Sequence, residues 1–412
     1  MKIPELLAPA GGMRQLRAAV RFGADAVYVG MKQYGLRAFA GNFDDEELAQ
    51  AVRIAHGAGR RLYVTMNIFA YDEDVPGMLE AARRARQTGA DALIVTDPGV
   101  IELLRRELPD MPLHVSTQAN TLNSLTAALY HRMGAQRVIL ARELTLEQIR
   151  RIRASVPADL ELETFVHGAV CMSYSGRCVL SNYLTGRDAN QGSCAQPCRW
   201  RYVLEEPTRP GQYMPIGEDA RGTYILSARD MCMIDHIPEL VQSGVASLKI
   251  EGRMKTEYYV ATVVGAYRRA LDAYAASPEA YAAQREAFVQ EVQRASHRPS
   301  DTGFYFGRPE HCAGAEGFLQ TSEFIATVLD RLPSGELLLE VKNRFFKGDA
   351  LEAMTPGGIV PFTAGDIVLA ETGERVEVVG QPKARVRIAA PEGIGAGDLL
   401  RGPCRNHTRI EG

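Results

Sequence analysis

The chain has 412 residues, 46% hydrophobic and 24% charged, the make-up of a soluble globular protein with room for two or three domains. A net charge of −3 makes no overall electrostatic case for a nucleic-acid partner, although arginines such as Arg199, Arg201 and Arg221 leave a local basic patch open. No apolar run approaches the roughly 20 residues of a membrane helix, and MKIPELLAPAGG reads as strand and turn rather than as a signal peptide, so a cytoplasmic protein without membrane contact is expected.

A short theme recurs along the chain as FGADAVYVG, TGADALIVTD, MGAQRVIL and SGVASLKIEG. Each is a helix-ending glycine followed by a short apolar run. The pattern predicts strands at Glu5–Ala8, Ala26–Gly30, Arg61–Asn67, Ala92–Thr96, Leu113–Thr117, Arg137–Ala141, Glu161–Val166 and Ser247–Glu251. Amphipathic segments at Met13–Arg21, Asp45–His56, Met78–Thr88, Val100–Glu107, Ser124–Met133 and Leu146–Ser155 predict the intervening helices. Eight strands alternating with helices predict an α/β fold, a (β/α)8 TIM-like barrel over residues 1–277. Between the seventh and eighth strands, residues 167–226 form an insertion far longer than an ordinary βα loop. It is followed by a predicted helix over Met231–Ser243. A helical connecting segment is expected at 278–322, and a small all-β barrel at 323–412, where β-rich runs such as GELLLEVKN and ERVEVVG alternate with Gly/Pro turns.

Residues that follow barrel strands face the mouth, where active sites of this architecture form. Here these are Lys32, Arg37, Asn67, Asp97, Ser116, Gln118, Asn120, Arg142, Glu143, His167, Glu251 and Arg253, and PAGG at Pro9–Gly12 offers an anion-binding turn. Any one of them could merely cap a helix or satisfy buried backbone; together they predict a polar pocket for an anionic or oxygen-rich substrate. Arg37, Arg142 and Arg253 are candidates for a carboxylate or phosphate clamp, because guanidinium makes bidentate contacts. His167 and Glu251 are the candidate catalytic residues. His167 could equally be a ligand, or a hydrogen-bonded histidine under the insertion.

Seven cysteines in a cytosolic chain argue against structural disulfides. Cys312 and Cys404 stand apart and read as passive thiols. The others follow Cys171-x6-Cys178-x15-Cys194-x3-Cys198, with Cys232 further on. Such thiols suit an iron–sulfur cluster or zinc, with reactive or inert thiols as the bland alternative, and only the last pair has the short spacing usual in structural zinc sites. Neither an HExxH helix nor a G-x-S-x-G elbow is present to support nucleophilic or zinc-dependent hydrolysis.

The stretch ETFVHGAVCMSYSGRCVLSNYLTGRDANQGSCAQPCRW resembles the peptidase U32, or collagenase-like peptidase, family, as do ELLAPAGG, HVSTQAN and SLKIEGRMKTEYYV. RDANQGSCAQPCRW, RPGQYM and the C-terminal β-region are most similar to the branch that hydroxylates tRNA. The resemblance implies a [4Fe–4S] cluster, prephenate as co-substrate, and conversion of the wobble uridine of tRNA to 5-hydroxyuridine without oxygen. It matches Cys171, Cys178 and Cys194 to cluster ligands and leaves the fourth open between Cys198 and Cys232. On that reading Lys32, Arg37, Asn67, Gln118, Asn120, Arg142 and Arg253 bind substrate. The partner is the tRNA anticodon loop, and a paralogous subunit could join. Trp200 and Tyr202, beside Arg199 and Arg201, could stack on unpaired bases or could form a packed core pair. Ser173 and Ser175 read as loop formers, and Gly168 and Gly176 as space for a cluster. Two other functions stay open: the peptidase of the family name, and a non-catalytic subunit that presents RNA.

Overall fold

The glycine theme acts as helix punctuation. Gly23, Gly89, Gly134 and Gly244 all have positive φ, between +78° and +97°, the left-handed conformation that closes a helix and favours glycine. In two repeats the aspartate after Gly-Ala then pins the neighbouring strand. Asp25 accepts from the Leu6 amide at 2.9 Å and Asp91 from the Leu62 amide at 2.7 Å. Helix starts are equally explicit. Asp44 and Glu47 form a capping box, as do Thr145 and Gln148, and Asp97 caps the helix that opens with Pro98.

The computed structural model describes residues 3–37, 40–171, 178–200, 204–205, 213–214, 218–219, 222–223, 229–307, 309 and 319–405. Its barrel elements are β1 Glu5–Pro9, α1 Met13–Arg21, β2 Ala26–Gly30, α2 Asp45–Gly57, β3 Arg61–Met66, α3 Val75–Gln87, β4 Ala92–Val95, α4 Pro98–Glu107, β5 Leu113–Val115, α5 Ser124–Arg132, β6 Arg137–Ile139, α6 Leu146–Ser155 and β7 Glu161–Ala169. After the insertion, which contains the short helix α7 Leu180–Thr185, come β8 Asp230–Cys232, α8 Ile237–Gln242, β9 Ser247–Ile250 and α9 Glu257–Ala276. Strands β1 to β7 pair in parallel succession, and β9 pairs in parallel with both β7 and β1. The ring therefore closes with eight strands, as the alternating pattern predicts.

The expected helix over Met231–Ser243 is a correction. Its first residues form β8, which pairs antiparallel with the far end of β7, Cys232 opposite His167. A short 3-10 turn and α8 follow. The extension of β7 past the barrel offers free backbone groups, and pairing satisfies them.

A second departure lies in β7 itself. Its register with β9 shifts so that Lys249 pairs with Phe165 but Ile250 with His167. The extra residue is a bulge, and it breaks the strict in–out alternation of the strand. Phe165 lies in the interior beneath Arg142 and Lys249. His167 turns outward against Tyr259 and Tyr267 of α9, ring centroids 6.1 and 5.6 Å away. Gly168 follows at φ +106°, and a Cβ there would stand 2.5 Å from the Glu251 carbonyl oxygen.

The barrel floor carries a buried ionic cluster. Arg137, 1% exposed, reaches Glu5 at 2.7 Å, Glu163 at 2.9 Å and Glu161 at 2.6 Å. Lys249 meets Glu163 at 3.2 Å, and the Tyr63 hydroxyl donates to Glu5 at 2.8 Å. These charges tie β1, β3, β6, β7 and β9 together. At the strand-start end of a barrel such a cluster serves stability. Removing one partner of a buried pair leaves its mate uncompensated, at a cost of about 3–5 kcal/mol.

Beyond α9, helix α10 Pro278–Val292 buries Tyr281, Phe288 and Val292 in the same core as the barrel. A short strand, β10 Ser300–Asp301, pairs with β8. The C-terminal region has a core of its own and an eight-stranded antiparallel sheet of β11 Ser322–Arg331, β12 Glu336–Val341, β13 Ala350–Thr355, β14 Gly358–Thr363, β15 Ile367–Leu369, β16 Arg375–Val376, β17 Arg385–Ala389 and β18 Leu399–Pro403. Their spatial order is β14-β13-β18-β11-β12-β17-β15-β16. Arg401 on β18 makes paired bonds of 2.9 Å to Glu291 of α10, and Arg21 of α1 reaches the buried Asp398 at 2.6 Å. These ion pairs fasten the sheet to the barrel.

Candidate anion-binding site at the barrel mouth

Glu251, one residue past β9, is the centre of the mouth. Arg37 Nη2 lies 3.2 Å from its Oε1, and Arg142 Nη2 lies 4.0 Å from its Oε2. The buried Tyr28 hydroxyl donates to the Ile250 carbonyl at 3.0 Å and approaches Glu251 Oε2 at 3.3 Å. Burial pushes the Glu251 carboxyl up, but Arg37, Arg142 and Arg253 outweigh it and hold it below the ordinary range. Glu251 in turn pushes the Arg37 guanidinium up. Arg37 and Arg142 thus face one carboxylate, with Arg253 adding to the field around it, and this positive charge suits a bound carboxylate or phosphate.

The arginines differ in what they have left to give. Arg142, 8% exposed, donates to the Ala169 carbonyl at 2.7 Å and lies 3.8 Å over the Phe165 ring, while its Nε has no partner. Arg253 is a strut: it donates to Thr65 Oγ1 at 2.7 Å and Asn42 Oδ1 at 2.6 Å, with a weaker contact to the Arg37 carbonyl at 3.4 Å. Burial lowers its guanidinium to about 10. A Cβ on Gly30 would stand 2.4 Å from it, so the strand glycine makes its room. Arg253 therefore holds the loop after β2, and with it Arg37, instead of standing open to a ligand. Tyr28, Thr65 and Asn42 complete this frame. Sequence reasoning missed them, since each reads as an ordinary strand or loop residue.

The other candidates divide. Asn67 donates to Ser116 at 3.3 Å and accepts from the Leu36 amide, linking the loops after β2, β3 and β5. Gln118 lies in the same loop cluster, its buried Oε1 without a partner. Asn120, left-handed at φ +51°, donates to the Gln118 carbonyl. Burial raises the Glu143 carboxyl, and its Oε2 is also unpartnered. Lys32 is not brought to this group. It is exposed and paired with Asp44 at 2.9 Å, the cap of α2. Asp97 serves as the cap of α4.

His167 belongs to a different place. Its ring lines a cavity of about 220 Å3 between β8, α10 and β10, with Asp230, Cys232, His297 and Asp301 among the walls. Burial drives the imidazole down to about 3, so it is neutral at physiological pH, and Nδ1 has no partner. The bulge in β7 thus separates the two candidate catalytic residues.

The family model described as Peptidase family U32 matches residues 11–314, and the one for its C-terminal domain matches residues 320–401. The chain belongs to peptidase family U32. Among its U32 relatives, "tRNA hydroxylation protein P" of Escherichia coli (strain K12) is 38% identical, with 87% of this chain and 88% of that one aligned. "tRNA hydroxylation protein P1" of Bacillus subtilis (strain 168) is 38% identical, with 97% and 95% aligned. A 23S rRNA 5-hydroxycytidine synthase of Escherichia coli (strain K12) is 34% identical, with 90% of this chain and 55% of that one aligned.

Four cysteines of this U32 chain belong to the stretch between β7 and β8. Cys171, two residues beyond β7, is exposed, and Cys178, Cys194 and Cys198 are half-buried cysteines of the insertion, none of them in a disulfide. Ser181 organises that segment, accepting from the Ala195 amide at 2.9 Å and donating to the Arg187 carbonyl at 2.8 Å. The Cys194 sulfur accepts from the Gln196 amide at 3.3 Å. Cys232 differs: burial pushes its thiol up to about 12. Among the described residues no three His, Cys, Asp or Glu side chains stand together as a metal site. The donors fit a thiolate-ligated cluster by type and by their shared segment, not by a closed geometry. Ser173, Ser175, Gly176, Arg201, Tyr202, Arg221, Cys312 and the side chain of Arg199 lie outside the described residues. Trp200 is 43% exposed.

Proposed function

We propose that this chain is a tRNA-modifying enzyme that hydroxylates the wobble uridine to 5-hydroxyuridine without oxygen, with a [4Fe–4S] cluster and prephenate. The observation that carries the reading is similarity over 87% and 97% of the chain to two proteins named for tRNA hydroxylation. The arginine surplus around Glu251 supports it, since prephenate is a dicarboxylate and RNA a polyanion.

Arg37 and Arg142 would bind the anion, with Glu251 and Arg253 fixing their positions. Water exclusion at Arg142, 8% exposed, strengthens its charge–charge contacts. Cys171, Cys178, Cys194 and Cys198 would hold the cluster. Cys198 is favoured over Cys232, because it lies in the same insertion segment as Cys178 and Cys194, whereas Cys232 is on β8 opposite His167. A bound cluster supplies electron transfer or activation of the oxygen donor, chemistry that side chains lack. Peptidase action at His167 is disfavoured: among the described residues its Nδ1 has no hydrogen-bond partner, and burial makes its imidazole a weak base.

The test is anaerobic purification of the wild type, Cys198→Ser and Cys232→Ser, with iron and sulfide assayed per chain. The reading expects about four iron atoms per chain in the wild type and in Cys232→Ser, and depletion in Cys198→Ser. A wild type without iron contradicts it. An RNA-presenting subunit would instead bind tRNA and leave it unmodified when supplied with prephenate and a reductant.

A further inference from the structure

Three aromatic rings stand in solvent at the end of the barrel that carries the arginines. Tyr183 on α7 is 86% exposed, Tyr71 in the loop after β3 is 61% exposed, and Trp200 is 43% exposed. Large rings are normally at least partly covered in a folded chain, and a group of exposed ones marks a contact surface. Their supports are joined. The Gln191 side chain donates to the Phe69 carbonyl at 2.7 Å, and the Phe69 amide donates to the Asn190 carbonyl at 3.5 Å. The insertion is thereby anchored on the loop that carries Tyr71. Within the insertion, the Ser181 bonds hold α7 to the segment 187–195, and the Trp200 amide donates to the Pro197 carbonyl at 3.0 Å, in a turn packed against α7.

We propose that Tyr71, Tyr183 and Trp200 form a stacking surface for unpaired bases of an RNA substrate. The inference rests on the RNA reading given above and adds the residues that grip the strand. Every base presents a π-face, so rings of this kind accept single-stranded RNA with little sequence preference. The phosphates are served by the same end of the molecule, where Arg37 and Arg142 outnumber Glu251. An unpaired loop satisfies both features at once: bases on the rings and backbone toward the guanidiniums.

The test measures fluorescence anisotropy of a labelled anticodon stem-loop RNA against the full chain, at several salt concentrations. Tyr183→Ala and Tyr71→Ala are each expected to weaken binding roughly 5- to 150-fold. Tyr183→Phe and Tyr71→Phe keep the π-face and are expected to bind within about twofold of wild type. The slope of affinity against salt stays unchanged in all four, because no phosphate contact is lost. A merely structural role would lower the melting temperature of the alanine variants and change the slope along with the affinity. The inference is overturned if wild type binds RNA and both alanine variants bind as tightly. It is overturned as well if those variants lose self-association in sedimentation while keeping RNA affinity, which would assign the rings to a second copy of the chain. If wild type itself fails to bind the RNA, the RNA reading falls along with the inference.

Discussion

Replacing His167 with glutamine separates two roles that the sequence alone leaves entangled. The structure places the ring outside the barrel, buried and neutral, with its imidazole driven to about 3. The unfolded chain takes up that proton near pH 6.5. Between the two values the unfolded state binds more protons, so stability is lost as pH falls from about 6.5 toward 3 and is unaffected above neutrality. Linkage over this window amounts to about 1.4 kcal/mol by pH 5.5 and about 2 kcal/mol by pH 5. His167→Gln cannot titrate, so its unfolding midpoint in urea should fall less than the wild-type midpoint between pH 7.5 and 5. The same variant should keep turnover at pH 7.5 within about tenfold, since general acid–base catalysis by a ring in the site would contribute roughly 100- to 10,000-fold. Parallel pH dependence in the two proteins would refute the burial argument. A loss of turnover beyond about 100-fold with intact folding would restore His167 to the catalytic site.

Three further outcomes follow from the ion pairs. Glu251→Gln removes the carboxylate that Arg37 and Arg142 face, so added citrate should raise the melting temperature of the variant more than that of the wild type in calorimetry. In the wild type, the depressed Glu251 carboxyl contributes stability above the ordinary carboxylate range and loses it as pH falls through its lowered value, a dependence the variant should lack. Arg253→Lys keeps a charge but cannot span Thr65 and Asn42 together; we expect about 2–4 kcal/mol of destabilisation in urea and a larger effect on KM than on kcat. Arg401→Met removes both 2.9 Å bonds to Glu291 and leaves it only the 3.8 Å contact to Arg269; up to about 3 kcal/mol should be lost from the contact between sheet and barrel, splitting the calorimetric transition into two.

The barrel was legible because its signals are local. Each of the four theme glycines ends a helix ahead of a strand, and the other strands follow from apolar runs that alternate with amphipathic segments. Direction was less legible than position. His167 reads as a mouth residue by its place after the seventh strand, but that strand runs on to Ala169 and its bulge turns the ring outward. Lys32 and Asp97 read as mouth residues by their place after strands, whereas local capping claims both. The Met231–Ser243 segment carries helical spacing, yet its first turn is taken by pairing with β7, a non-local demand. The floor cluster of Arg137, Glu5, Glu163 and Lys249 was missed for the same reason, since a charge inside a strand announces itself only when its partners are known. Of the mouth, Arg37, Arg142 and Glu251 were found by position. The frame of Tyr28, Thr65 and Asn42 depends on contacts from three separate loops and left no mark on the sequence.

The central claim is that the chain installs the hydroxyl on a wobble uridine, with the insertion thiols as cluster ligands. Mass spectrometry of nucleosides from the tRNA of a deletion strain tests it most directly, with complementation by wild type and by Cys171→Ala. Loss of 5-hydroxyuridine and its derivatives is expected on deletion, with restoration by wild type and none by Cys171→Ala, both proteins being present at equal levels. Unchanged nucleosides in the deletion strain, once any paralogous gene is also removed, would contradict it, as would full restoration by Cys171→Ala.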